Sequence, residues 1–177
     1  ACGSAVCFSA PPRGPAGHGG WVLLAPDYSQ VELRVLAHLS GDEELAEAFR
    51  EGRDIHASTA SVVFGVAEDE VDRTMRSQAK AVNFGLLYGM GPQRLARETG
   101  LSVPEAKDFI ERYFAAFPSV RGWIDAVLAG ARENLYVETL LGRRRPMPDI
   151  NSKNPGARVA AENAAVNTPV QGSAADI

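Results

Sequence analysis

A mainly α-helical chain with a few β-strands is what the sequence predicts, and three observations carry that expectation. Residues that cap helices stand ahead of runs with helical spacing, at Asp42, Asp54 and Ser102. Strand-like runs are few and short: one at 21–25 and a pair flanking Gly142. Internal repeats are absent from the sequence, so the helices are individual elements rather than copies of a unit.

Residues 1–19 lack periodicity and are dense in glycine and proline, and read as a disordered lead, a cloning remnant or a stretch translated in the wrong frame. Residues 21–25 read as a short buried strand leading to Asp27, and 30–39 as a helix. Asp42 caps a helix through Phe49, with Glu43 and Glu44 favoured by its dipole. Asp54 caps the next through Phe64, which Gly65 ends. The helix from 73 closes at Tyr88-Gly89. Ser102 and Glu105 form a capping box that opens a helix to Phe117, and Pro118 separates it from a helix over 120–134. Residues 136–141 and 145–148 read as a hairpin turning at Gly142. From Asn154 a last helix runs to about Asn167, breaks at Pro169 and restarts near Gly172. Ile177 falls inside that helical run with no capping signal, so the chain reads as an incomplete fragment.

The 177 residues are 45% hydrophobic and carry a net charge of −4, which does not by itself favour nucleic acid. The charge is segregated, however. Residues 42–54 hold six acids and two arginines, while 73–97 hold five Lys/Arg and no acid, and 143–158 hold five Lys/Arg against Asp149. Two separate cationic blocks suit a phosphate-binding surface, and the acidic blocks read as solvated helix faces. The two cysteines, Cys2 and Cys7, make a poor zinc set with His18 and point to a reduced, cytoplasmic protein. No apolar run approaches membrane-spanning length, so no membrane partner is expected.

Chemistry concentrates in two segments. Arg76, Lys80, Phe84 and Tyr88 recur every four residues, a step of about 400° on a helix, and so form one drifting stripe about 18 Å long. Two cations followed by two rings suit a ligand with phosphates at one end and a flat base at the other. The aliphatic residues Ala79, Val82, Leu86 and Leu87 lie off the stripe. A solvated basic helix with its rings turned into the core fits the spacing equally well. In the earlier segment, Asp27 at a strand end followed by a helix is a place to hold a hard cation with help from a backbone carbonyl. Taken alone, such an aspartate is more often a helix cap.

The combination is more specific than either part. Asp27-Tyr28-Ser29-Gln30-Val31-Glu32-Leu33-Arg34 stands roughly fifty residues ahead of Arg76-x3-Lys80-x3-Phe84-x3-Tyr88-Gly89. Thr168-Pro169-Val170-Gln171 comes later in the order one would expect, as do Gly52–His56 and the Gly142-Arg143-Arg144-Arg145 run. From about Gly20 to its end the chain resembles motifs A and B of the bacterial type of family A DNA polymerases. The resemblance implies the fingers subdomain plus part of the palm of a right-hand polymerase: palm strand and helix over 20–41, fingers over 42–135 with the motif B helix at 73–89, and hairpin and start of the palm helix over 136–177.

It implies a DNA-directed DNA polymerase that adds deoxynucleotides to a primer 3′ end by two-metal nucleotidyl transfer, in DNA replication and repair, in a monomeric parent. Asp27 and the Tyr28 carbonyl would hold Mg²⁺, two ions in the complete enzyme, and the second aspartate of the pair would lie beyond Ile177, leaving the isolated chain inactive. Tyr28, Ser29, Gln30, Glu32, His56, Arg76, Lys80, Phe84 and Tyr88 would bind the nucleoside triphosphate: Glu32 as the gate against a ribose 2′-hydroxyl, Arg76, Lys80 and His56 on the phosphates, Phe84 on the sugar and base, Tyr88 at the templating position. Gly89, Arg143, Arg144, Arg145, Arg158, Asn167 and Gln171 would meet primer–template DNA, Asn167 and Gln171 in the minor groove. Without the resemblance, Glu32 is a first-turn carboxylate favoured by the dipole, His56 a partly buried histidine and the arginine run a solvated hairpin. Three positions depart from the family: Pro26 in a strand, Gly91 where serine is commoner, and Asn163 where arginine is usual. The competing readings are a catalytically dead nucleotide- or DNA-binding fragment and an unrelated helical phosphate-binding protein.

Overall fold

The computed structural model describes residues 6–9, 22–25, 28–85 and 89–177, the first two segments as backbone alone. The chain divides into two compact units, Ala1–Val31 and Glu32–Ile177.

In the first unit, β1 (Val6–Ser9) pairs antiparallel with β2 (Val22–Ala25), Val6 opposite Ala25 and Ser9 opposite Val22. Within the lead expected to be disordered, Val6–Ser9 is thus a strand; the rest of 1–19 lies outside the described residues. The Val-Cys-Phe run is β-prone, and it gives the predicted strand at 21–25 a partner. Asp27 and Pro26 lie outside the described residues. Gln30 takes a left-handed φ of +54° immediately before the first helix.

Helices dominate the rest of the chain. α1 (Val31–Ser40) buries Leu33, Val35 and Leu36. α2 (Glu43–Arg50) is capped by Asp42, whose carboxylate accepts from Leu45 N–H at 3.1 Å. α3 (Ile55–Phe64) starts at Asp54, which accepts from His56 and Ala57 N–H, and ends at left-handed Gly65. After a 3₁₀ turn at Glu68–Glu70, α4 (Arg73–Gly85) packs along α3. Its expected continuation through 86–88 lies outside the described residues.

α5 (Pro92–Thr99) is an element the sequence reading does not include, although its signals are there: Pro92 at the first helical position and Gly100 left-handed at the end. α6 (Val103–Ala116) opens with the predicted Ser102–Glu105 capping box, and α7 (Pro118–Asn134) takes Pro118 as its first residue instead of starting beyond it. One core forms where Ile55, Val82, Leu95, Tyr113, Phe117 and Val120 are buried, with Tyr113 and Phe117 rings 4.9 Å apart.

β3 (Tyr136–Glu138) and β4 (Arg144–Pro146) form the predicted hairpin with shorter strands, Val137 opposite Arg145. α8 (Pro155–Asp176) then runs without a break, which corrects the expected interruption at Pro169. Proline inside a helix costs about 3 kcal/mol. Here Pro169, Ala165, Val166 and Val170 are all buried, and full burial of a Val-sized side chain is worth about 1.5–3 kcal/mol, so packing outweighs the lost N–H. A second core cluster of Ala131, Val137, Met147, Ile150 and Ala165 joins α7, the hairpin and α8.

Candidate nucleotide and nucleic-acid site

The stripe on α4 is built by its two faces. Asp72 starts the helix by accepting from Met75 N–H at 2.7 Å. Ala79, Val82 and Asn83 are buried, whereas Arg76 and Lys80 are exposed and Phe84 is half-buried. The aliphatic residues off the stripe therefore make the core, and the cationic face is left toward solvent. Tyr88, Leu86 and Leu87 lie outside the described residues.

Arg76 is not idle. Its guanidinium donates through Nε and Nη2 to Asp54 Oδ2, each at 2.8 Å. Burial pushes the Asp54 carboxyl up, but Arg76 and the N–H groups of Ala57 and His56 outweigh it and hold the carboxyl below its ordinary value. Asp54 thus caps α3 and pairs with α4, a double role that the sequence reading missed. Lys80 has no ion pair among the described residues.

His56 sits on α3 facing α4 and is 3% exposed. Its ring lies 5.7 Å from that of Phe84, tilted by 50°. Its Nδ1 is 3.2 Å from Asn83 Nδ2. Burial pushes its pKa down to about 4, against the pull of Asp54 and with the help of Arg76 and Lys80. The histidine is therefore a neutral, hydrogen-bonded core residue beside the stripe and not a charged surface ligand.

The second group gathers at the hairpin and α8. Arg143 donates to the Gly172 carbonyl at 2.9 Å and pairs with Asp176 at 2.8 Å, and Asp176 also accepts from Thr139 Oγ1 at 2.7 Å. Arg144 pairs with Glu138 and lies over the Tyr136 ring, 4.6 Å from its centroid. Arg145 donates to Thr168 Oγ1 at 3.0 Å. Leu140 N–H donates to Ser173 Oγ, and Gly172 approaches so closely that a Cβ there would lie 2.5 Å from Thr139 Cγ2. The three arginines, Asn167 and Gln171 line one cavity of about 400 Å³. Asn167 Oδ1 is buried there without a hydrogen-bond partner. Gln171 Nε2 donates to Glu32 Oε1 at 3.2 Å, so the motif A glutamate and the last helix meet. Arg158 stands apart near the start of α8, donating to the Ser152 carbonyl at 3.2 Å.

Gly89 is the third meeting point. It takes φ +65°, and a Cβ there would lie 1.9 Å from Asn163 Oδ1. Met90 N–H donates to the Gly85 carbonyl at 2.8 Å, a bond of the kind that ends a helix at a left-handed glycine. The family departure at Asn163 is therefore a direct contact with the motif B glycine.

In the first unit, Tyr28 is 68% exposed, Ser29 is exposed and Gln30 half-buried. The Tyr28 carbonyl, an expected Mg²⁺ ligand, accepts from Val31 N–H at a long 3.4 Å and keeps a lone pair for another partner. No group of three or more His, Cys, Asp or Glu suited to a metal ion occurs among the described residues. No described helix is long and apolar enough to cross a membrane.

The chain, mainly helical with a cationic face on α4 and an arginine-lined groove beside α8, belongs to DNA polymerase family A, whose model matches residues 15–177. The thermostable DNA polymerase I of Thermus aquaticus is 57% identical over 158 residues, 89% of this chain and 19% of its own length. The DNA polymerase I of Geobacillus stearothermophilus is 54% identical over 157 residues, 89% of this chain and 18% of its own. Among solved structures, the POL domain of Pol1 from M. smegmatis, in complex with DNA primer-template and dNTP, matches with a TM-score of 0.80 and 47% identity, over 85% of this chain and 26% of that one. The chain thus spans about a fifth of the length of these curated relatives.

Proposed function

We propose that this chain supplies the nucleotide-handling helix and part of the DNA-handling surface of a DNA-directed DNA polymerase, which adds deoxynucleotides to a primer 3′ end. The observation that carries the reading is α4, with Arg76 and Lys80 on its exposed face, Phe84 one turn further on, and Ala79 and Val82 buried behind them. Lys80 meets the triphosphate first, as a point charge with no ion pair among the described residues. Arg76 joins when a phosphate displaces the Asp54 carboxylate from its fork. Phe84 packs on sugar and base, Tyr88 stands at the templating position, and Tyr28, Ser29 and Gln30 border the nucleotide. Glu32, half-buried and held by Gln171, fills the space a ribose 2′-hydroxyl would need.

Arg143, Arg144 and Arg145 meet phosphates of the primer–template, Asn167 and Gln171 test the minor groove, and Gly89 and Arg158 border the template. The unpartnered Asn167 Oδ1 supports a polar ligand in that groove. Asp27 and the Tyr28 carbonyl are the residues this chain would give to Mg²⁺, which supplies charge stabilisation in phosphoryl transfer. A monomeric, cytoplasmic protein of replication and repair completes the reading.

Titration of dATP into the purified chain tests it. Binding that falls at least tenfold in Lys80→Ala is expected. Equal affinity in chain and variant removes α4 as the nucleotide helix.

A further inference from the structure

Behind the stripe lies a buried polar chain. Thr59 is fully buried, Asn83 1% exposed and His56 3%. Buried polar groups persist where each hydrogen has an acceptor, so the hydrogens can be assigned in turn. Thr59 Oγ1 lies 2.7 Å from the Ile55 carbonyl, one turn back on α3, and that carbonyl takes its single hydrogen. Its other contacts are the two ends of the Asn83 carboxamide, Nδ2 at 3.0 Å and Oδ1 at 3.4 Å; with the hydrogen committed to the shorter bond to Ile55, Thr59 Oγ1 accepts from the nearer Nδ2. This fixes the Asn83 amide with its nitrogen toward α3. The second amide hydrogen points to His56 Nδ1 at 3.2 Å. An Nδ1 that accepts carries no proton of its own, so the neutral ring holds its proton on Nε2.

We propose that Thr59 and Asn83 are positioning residues that set the tautomer of His56, holding Nδ1 as an acceptor so that Nε2–H is the donor the ring has for a phosphate oxygen. Which ligand receives that hydrogen rests on the polymerase reading; the tautomer itself does not. The charges acting on the ring are Asp54 at the cap of its own helix and Arg76 and Lys80 on α4. Burial outweighs the Asp54 carboxylate and keeps the ring neutral at physiological pH. A neutral donor adds no fixed charge beside Arg76 and Lys80, and it accepts no proton from an arriving triphosphate. The chain of bonds also ties the α3 side of the site to the α4 helix, through residues 24 and 27 positions apart.

Long-range ¹H–¹⁵N spectra of the labelled chain read the two ring nitrogens directly. The chain has three histidines, and His18→Gln and His38→Gln assign the remaining signal to His56. The expected result is a protonated-type Nε2 and an acceptor-type Nδ1 at pH 7, with titration not reached until about pH 4. Thr59→Val keeps the branched shape but removes the acceptor, and the two nitrogens then drift toward an averaged shift; Thr59→Ser restores the wild-type pattern. Asn83→Asp places a carboxylate against Nδ1, inverts the tautomer and raises the ring's pKa. An Nδ1–H ring in the wild-type chain, a titration near 6.5, or Thr59→Val spectra identical to wild type would each overturn the proposal. The wild-type spectrum decides even if a variant fails to fold. Added dATP should move Nε2 more than Nδ1. A fixed Nε2–H tautomer that dATP leaves unmoved overturns the nucleotide role of His56 while the tautomer stands.

Discussion

Replacing Gly89 by alanine asks two separate things of the turn after α4. The residue must keep φ near +65°, which an L side chain holds at a cost of about 1–2 kcal/mol. Its Cβ must also enter space occupied by Asn163, whose Oδ1, Cγ and Nδ2 would lie 1.9, 2.1 and 2.6 Å away. Those are overlaps, so the carboxamide on α8 has to leave, with an overpacking cost of about 1–3 kcal/mol. Together Gly89→Ala should lose about 2–5 kcal/mol. The two terms separate in a double-mutant cycle. Asn163→Ala removes the obstacle, so adding Gly89→Ala to it should cost only the backbone term, and the coupling energy should be about 1–3 kcal/mol. Urea unfolding monitored by far-ultraviolet circular dichroism gives all four stabilities. A Gly89→Ala cost below about 0.5 kcal/mol would refute both the left-handed turn and its packing against α8, and strictly additive variants would refute the packing alone.

Other perturbations read the charges. Lys80→Ala should weaken dATP binding more than Arg76→Ala does, because Arg76 already spends its fork on Asp54; competition titrations rank the two. Arg144→Ala should lower the slope of log K against log salt for primer–template DNA by about one for each phosphate that it ceases to neutralise, while Arg143→Ala should also reduce stability by freeing Asp176; fluorescence anisotropy across a salt series checks both. For His56 the folded-state pKa of about 4 lies below the ordinary 6.5, so the unfolded chain binds the extra proton first. The stability His56 confers is fully present above about pH 6.5 and is lost as pH falls toward 4, by up to about 3 kcal/mol. His56→Phe should flatten that limb in urea melts between pH 4 and 7.

Local signals are legible where one residue type settles the geometry. Asp42, Asp54 and Ser102 start their helices and Gly65 ends α3 as expected, because a cap needs only its own side chain and the next few N–H groups. Pro169 misleads for the complementary reason. Proline's cost is local and visible, whereas the burial that outweighs it depends on what α7 and the hairpin place against α8. The stripe at Arg76, Lys80 and Phe84 is legible because its period is that of the helix. Its environment is not: the Asp54 ion pair spans 22 positions and the Asn83 bond to His56 spans 27, and nothing in spacing announces either. Asn163 is unusual on sequence grounds, but its contact with Gly89 belongs to tertiary structure. The strand at Val6–Ser9 is hidden because the glycine- and proline-rich residues around it dominate the segment's composition.

The hydrogen bond between Glu32 and Gln171 joins residues 139 positions apart. It has a consequence for the order in which the molecule assembles. Closing that loop costs about 1.5 kcal/mol more chain entropy than closing the 27-residue loop between His56 and Asn83. The α3–α4 pair, with its buried histidine, is therefore able to form while the chain is still largely open, and Glu32 meets Gln171 only when α8 docks. A chain halted partway through folding would already hold the Arg76–Lys80 face of α4 against α3 and would still lack the bond between Glu32 and the last helix.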